Sequence, residues 1–300
     1  MRNQVKCPVC NSANVCFKYH TNPFSLSIYE CKACHSQFQY PTPRNADQFY
    51  TQGYYEGSKT FSYQDERRDE HFQNFVHRAR LKTIRRYVAD GKFLDVGCAF
   101  GAFSRAAAQN FEAYGLDVSR YAVSEGNTIC KQFKSGVRLF QGDLCHLPQK
   151  NPAKQIFRKG SFAVIALIEV AEHLKNPRDD FKSAYELLKA NGLLIIQTAN
   201  FEGLQAIKAG RHYHYYLPGH LVYFTATGLK NLLKEIGFTR FIEHTPTDFS
   251  LTAKWRKARA QYHYFWNIRR FIKMSWYHCI SKFKWKGRPL TSSYVLYAFK

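Results

Sequence analysis

Between residues 92 and 244 the chain alternates short apolar runs with longer stretches of helical period. The runs at 93–96, 113–116, 137–140, 162–168, 193–198 and 240–243 have the length and residue content of buried strands. The stretches at 102–110, 120–133, 177–188 and 225–236 keep their apolar residues to one side of a helix. Near-regular alternation of strand and helix predicts an α/β fold, a doubly wound parallel sheet with helices on both faces. A last apolar run, 293–299, predicts one more strand. Ahead of the sheet, 62–90 reads as a helix with Phe72, Phe75, Val76, Ala79, Ile84, Tyr87 and Val88 on one side. Asp65 and Glu66 stand near its start, where the helix dipole favours acids. Residues 41–61, with Pro41, Pro43, Gly53 and Gly57, read as a loop.

The chemistry concentrates at strand ends. A strand closes on Asp95, a turn holds Gly97 and Gly101, and a helix follows. The next strand ends in Asp117, twenty residues after Gly97. This is the layout of a nucleoside site: the glycines let backbone approach the ligand, and the acid can bond both ribose hydroxyls. A dinucleotide site needs Gly-x-Gly-x-x-Gly. With Gly101 in the middle, Ala99 and Ser104 hold the outer positions, so a pyrophosphate cradle is not expected.

Asp95-x-Gly97-x-x-x-Gly101 resembles the first motif of the Rossmann-like methyltransferases that use S-adenosylmethionine, which often carry glycine where Ala99 stands here. The resemblance extends along the chain. In Gln141-Gly-Asp-Leu144 it implies that Asp143 accepts from the adenine amine and that Leu144 offers backbone and an apolar face. Glu169-Val-Ala-Glu172-His173, after the fourth strand, is similar to the ubiquinone-pathway O-methyltransferases. There the carbonyls of Leu167 and Ile168 are expected to receive the cofactor ammonium, and His173 to face the reaction centre. Gly219-His220-Leu-Val-Tyr-Phe-Thr225 also resembles that group, and Arg211-His-Tyr-His-Tyr-Tyr216 precedes it. His220 is the leading candidate base, because an imidazole near neutrality suits a hydroxyl acceptor. Structural roles stand as the alternative for both histidines, since methyl transfer rests largely on holding the acceptor in line. The resemblance further implies a seven-stranded sheet whose last strand enters antiparallel beside the sixth. Residues 247–291 then form an insertion within a domain spanning 91–300, and 41–90 a loop and lead-in helix.

Residues 1–40 read as a separate module. Cys7-Pro-Val-Cys10 and Cys31-Lys-Ala-Cys34 give two Cys-x-x-Cys knuckles with short strands between them, at 15–18 and 25–29. This is the spacing of a zinc ribbon, in which four thiolates hold one tetrahedral ion. His35 is an alternative ligand to Cys34, which completes the second knuckle.

Apolar residues make up 45% of the chain, enough for a core, and no apolar run reaches the ~18 residues of a membrane span. The N-terminus lacks a hydrophobic signal core, so a cytoplasmic protein is expected, with metal rather than disulfides at the paired cysteines. The net charge is +22. It calls for an anionic partner: nucleic acid, acidic lipid or a phosphorylated carrier. Residues 247–291 hold eleven Lys and Arg against one acid, Asp248. Within them, 251–283 carries a helical stripe of Leu251, Trp255, Ala258, Tyr262, Phe265, Ile272, Trp276 and Ile280 amid basic residues, which reads as an anionic membrane-surface element or as a packed helix with a solvated face. The expectation is methyl transfer to a hydroxyl or carbon of a sugar, glycolipid or small metabolite. RNA methylation is the alternative, with non-enzymatic RNA or membrane binding behind it. No Asn-Pro-Pro-Tyr motif for amino-group methylation follows the fourth strand.

Overall fold

The computed structural model describes residues 5–43, 50–56, 65–261 and 268–300. The chain opens with three antiparallel strands, β1 (Val15–His20), β2 (Ser27–Cys31) and β3 (Gln37–Gln39). A short α1 (Gln52–Tyr55) and the long α2 (Glu66–Ile84) lead into the α/β body. The body runs β4 (Lys92–Val96), α3 (Ala102–Ala107), β5 (Glu112–Asp117), α4 (Arg120–Gln132), β6 (Arg138–Gln141), α5 (Ala153–Ile156), β7 (Phe162–Ile168), α6 (Pro177–Leu187) and β8 (Leu188–Ala199). After α7 (Leu204–Ala209) come β9 (Val222–Tyr223), α8 (Ala226–Ile236) and β10 (Arg240–His244). Two helices, α9 (Leu251–Gln261) and α10 (Ile268–Ile280), precede a hairpin of β11 (Lys284–Trp285) and β12 (Arg288–Pro289), and β13 (Ser293–Phe299) ends the chain.

Seven strands form the main sheet in the order β10-β13-β8-β7-β4-β5-β6. β13 is antiparallel to both its neighbours, and the pairs from β8 to β6 are parallel. The expected seven-stranded Rossmann-like sheet is present. β7 is buried along nearly its whole length, as a central parallel strand covered on both faces must be. In β4 the side chains alternate between two cores: Phe93 packs with Val164, Leu193 and Val295 on one face, and Leu94 with Leu116, Ile165 and Leu194 on the other. Local signals fix the helices. Ser119 caps α4 by accepting from the Ala122 amide at 3.3 Å, and Thr225 caps α8 by accepting from the Gly228 amide at 3.0 Å. Pro177 starts α6 with Asp179 and Asp180 in its first turn.

Three features differ from the expectations. The lead-in helix is described from Glu66 and ends at Ile84, with residues 85–87 in a turn and 88–90 irregular; 62–64 lie outside the described residues. The stripe at 251–283 belongs to two helices, not one; Tyr262 and Phe265 lie outside the described residues. α9 packs on α2, burying Ala253, while Trp255, Ile272 and Trp276 face outward, so the stripe is not one buried side. Third, β3 pairs with β9, so the N-terminal sheet is completed by a strand from the far half of the chain. Cys7, Val9, Cys31 and Phe38 share a core with Phe181, Leu229 and Leu233. The Thr225 hydroxyl donates to the Cys34 carbonyl at 2.8 Å, and Arg178 donates to the Val9 carbonyl at 3.0 Å.

Candidate functional site

A cavity of about 890 Å³ opens over the carboxyl ends of β4, β5 and β7, where an open α/β sheet leaves its crevice. Its two ends differ in chemistry.

Gly97, Ala99, Asp117, Asp143 and Leu144 line one end. Gly97 follows β4 at φ 68°, and a Cβ there would stand 2.4 Å from a Val170 methyl, so glycine is required on both counts. Ala99 adopts φ 45°, a conformation that costs a non-glycine residue about 1–2 kcal/mol. The strain places its amide 2.8 Å from Asp117 Oδ2, while Oδ1 accepts from the Ser119 amide at 2.9 Å and the Tyr55 hydroxyl at 3.2 Å. Three donors thus fix a buried carboxylate, and its burial pushes the pKa up. Asp143 accepts from the amides of Cys145 (2.8 Å) and His146 (2.6 Å), a turn that holds it at the rim. Tyr50, Tyr54 and Tyr55, on and before α1, complete this end.

Glu169 stands in the middle. β7 ends at Ile168, which is in register with Gln197 of β8, and Glu169 then turns at φ 56°. Gln197 donates to Glu169 Oε1 at 2.6 Å, and the Tyr215 hydroxyl reaches Glu169 Oε2 at 2.7 Å and Glu172 Oε1 at 2.5 Å. Glu169 is exposed to the open cavity, and Gln197, Tyr215 and Glu172 crowd its carboxylate. Desolvation by the surrounding protein first, and the neighbouring Glu172 second, raise its pKa to about 7. Behind Gln197 the chain of bonds continues: Arg80 donates to Oε1 of the Gln197 side chain, and its Nε pairs with Asp248 at 2.9 Å. Asp248 is fully buried and also accepts from Tyr297 at 2.7 Å.

α2, α9 and α10 close the other end with Gln73, Val76, His77, Lys254, Lys257, Ala258 and Met274, joined by Phe249 from the loop ahead of α9. Burial drives His77 down to about 3, so it is neutral there. Burial also lowers Lys254, which makes no ion pair among the described residues; Lys257 donates to Gln73 at 2.8 Å.

The structure brings five of the anticipated residues to the cavity wall: Gly97, Asp117, Asp143, Leu144 and His173. Asp95, Gly101, Leu167 and His220 do not line it. Asp95 accepts from Ser104 at 2.8 Å, tying β4 to α3, and Gly101 caps α3 at φ 78°. Leu167 is buried, and Ile168 takes the lining position. His220 sits behind His173, ring centroids 4.7 Å apart, with Nδ1 2.7 Å from the Tyr215 carbonyl. Burial lowers His220 to about 3, assisted by His173. His173 Nδ1 lies 2.9 Å from the Tyr50 hydroxyl and 2.8 Å from the Gly219 carbonyl, and burial lowers its pKa too. Atoms of Glu172, His173 and His220 come within 4.8 Å of one another.

Sequence reasoning passed over Glu169, Gln197, Arg80 and Asp248 as site residues. Two of them carried a visible signal: Glu169 opens the motif after the fourth strand, and Asp248 is the lone acid of a basic stretch.

The second candidate centre is at the N-terminus. The sulfurs of Cys7, Cys10, Cys31 and Cys34 lie within 4.8 Å of one another. Asn11 and His35, each directly after a knuckle's second cysteine, share a left-handed backbone at φ 59° and 58°, so the two knuckles match. His35 is exposed and outside the cluster. Four thiols converging in this way fit one tetrahedral zinc ion.

Residues 64–242 match the family model of a methyltransferase domain. Ubiquinone biosynthesis O-methyltransferase of Pseudomonas aeruginosa is 27% identical over 114 residues, 38% of this chain and 46% of the relative. The mitochondrial enzyme of that name from Schizosaccharomyces pombe is 30% identical over 108 residues, 36% of this chain and 37% of the relative. The chain thus spans less than half the length of these curated relatives. In fold it is similar to Haemonchus contortus phosphoethanolamine N-methyltransferase 2 solved with S-adenosyl-L-methionine, at a TM-score of 0.56, 15% identity, and coverage of 88% of this chain and 61% of that one. The family model spans more than half of the chain, and the chain belongs to the methyltransferase domain family.

Proposed function

We propose that this member of the methyltransferase family transfers a methyl group from S-adenosylmethionine to a hydroxyl of a sugar, glycolipid or small metabolite. One observation carries the reading: a single cavity joins a nucleoside end, built on Gly97 and Asp117, to an acceptor end, with Glu169 between them. The residues fit the cofactor. Asp117 can accept from the ribose hydroxyls, Asp143 from the adenine amine, and the Ile168 carbonyl, at the end of β7, suits the ammonium. When bound, the cofactor supplies a methyl group on a good leaving sulfonium, so the protein's part is orientation, exclusion of water and proton removal.

Glu169 takes the part of the base in this proposal, in place of His220. A carboxylate with a pKa of about 7 is half deprotonated at neutral pH and can take the acceptor hydroxyl proton as the methyl arrives. Gln197 and Tyr215 hold it in one rotamer, and the buried Arg80–Asp248 pair holds Gln197. His173 and His220 serve as supports that position this wall. Lys254 and Lys257 make the acceptor end cationic, which suits an acceptor bearing phosphate or carboxylate. The cysteine cluster is assigned one structural zinc ion that stabilises β1–β3 against the body.

RNA methylation is the second reading, favoured by the net charge of +22. The deciding experiment incubates the protein and methyl-tritiated cofactor with lipid, glycan, small-molecule and RNA fractions from cells lacking the gene. Label should enter the lipid, glycan or small-molecule fraction; label confined to RNA would reverse the assignment.

A further inference from the structure

The helices that close the acceptor end carry a second surface that the cavity does not use. α9 turns Lys254, Lys257 and Ala258 to the cavity, and α10 turns Met274 there. Away from it, Trp255, Ile272 and Trp276 are exposed by 44%, 63% and 67%. With Phe271 they line a shallow apolar cleft between the two helices, edged by Arg256 and Arg259. The Trp255 indole donates to Ser275 at 3.0 Å, which ties α9 to α10 across the cleft.

The chain then runs into the β11–β12 hairpin. Its turn, Lys286-Gly287, has both residues at positive φ, 48° and 77°, the geometry of a tight two-residue hairpin. Every residue from 282 to 288 is exposed, and Phe283 and Trp285 are each 63% accessible. Lys282, Lys284, Lys286 and Arg288 interleave with them, and no acid occurs anywhere from 249 to 300. A surface exposed to water alone rarely gathers large apolar side chains in this way.

We infer that the α9–α10 cleft and the hairpin form a docking surface for an anionic lipid bilayer. The tryptophans and Phe283 enter the headgroup layer, where amphipathic aromatic rings are favoured, and the lysines and arginines meet lipid phosphates. With 11 and 13 residues, α9 and α10 are too short to cross a bilayer, which takes about 20, so they lie along it. Charge complementarity alone would also suit RNA. The aliphatic Ile272 and the aromatic hairpin favour lipid. Docked in this way, α9 and α10 bring the acceptor end of the cavity to the membrane and make the acceptor an amphiphile drawn from it. That last point rests on the methyl-transfer reading; the docking does not.

Flotation of the full chain tests it, with vesicles of phosphatidylcholine alone and of phosphatidylcholine mixed with phosphatidylglycerol. The protein should float only with the anionic vesicles, come off in high salt, and shift its tryptophan emission to the blue on binding. K282Q/K284Q/K286Q should weaken partitioning about a hundredfold, at the usual contribution of a basic residue near an anionic surface. W276S/W285S should weaken it as well and remove most of the blue shift. These side chains are exposed, so unchanged melting and cofactor binding will show that both variants are folded. No binding to anionic vesicles, binding that neither variant changes, or RNA displacing the vesicles would each overturn the proposal. A protein that floats yet binds no S-adenosylmethionine would leave the docking standing and remove the methyltransferase reading.

Discussion

Replacing Glu169 with Gln tests the proposed base directly. Below about pH 7 the carboxyl holds its proton and cannot take another, so the wild-type rate should climb through a midpoint near 7 and level off above it. Glu169→Gln removes the base but keeps an oxygen for the Gln197 amide, and should lower kcat by roughly 10²–10⁴-fold, the usual contribution of a positioned base. Stability should move the other way. Folding raises the pKa of Glu169 from 4.5 to about 7, so the folded state binds the extra proton and stability from this group falls as pH rises across that window. The variant, lacking the charge, should therefore melt no lower than wild type above neutral pH. Its neighbours give opposite signs. Gln197→Leu and Tyr215→Phe remove hydrogen bonds to the carboxylate and should move the midpoint up, each by about 0.4–1 pH unit for one hydrogen bond. Glu172→Gln removes a like charge and should move it down. The assay is initial-rate transfer of tritiated methyl into the labelled fraction across pH 5.5–9 (about a unit and a half or more on either side of the midpoint). A Glu169→Gln protein that keeps its rate within a few-fold, or shows the same ascending limb, would refute the argument.

Asp117→Ala should weaken S-adenosylmethionine by about 1.5–3 kcal/mol, the range for hydrogen bonds to a charged group, with titration calorimetry as the check; unchanged affinity in a folded variant would remove the cofactor assignment. Purified protein should contain about one zinc per chain, lost when Cys10→Ser is combined with a chelator, and melting should fall with it because β3 is shared with the body through β9; a metal-free protein that melts unchanged would end the zinc proposal. Arg80→Met leaves Asp248 buried without its partner and should cost about 3–5 kcal/mol in denaturant unfolding, whereas a loss below 1 kcal/mol would show that the pair is dispensable.

Much of the sheet was legible because its signals are local. A strand covered on both faces must be apolar throughout, as 162–168 is, and a helix must repeat its apolar side, as 225–236 does. The glycine at 97 and the acid at 117 were readable for the same reason: backbone that approaches a ligand excludes a side chain, and a second strand ending in an acid stands beside the first. The cysteine pairs announced their cluster by spacing alone. In each case the residues concerned lie within a few positions of one another or are joined by one hairpin or one strand–helix–strand unit.

The rest depends on contacts between distant segments, for which a sequence carries no periodic trace. The β3–β9 pairing joins residues about 185 positions apart through backbone bonds that any side chains allow. Arg80, Gln197 and Asp248 come from a lead-in helix, the fifth parallel strand and the start of an insertion, and only the folded chain turns them into one support for Glu169. Histidine 220 looked like a base on chemistry, but packing buried it behind His173 and gave the cavity wall to a glutamate whose affinity for a proton is set by its surroundings. The basic stretch was visible from its composition. Which of its faces roofs the cavity and which meets solvent was decided by α9 packing on α2, because an amphipathic helix specifies that a face is buried and leaves its partner to the tertiary structure.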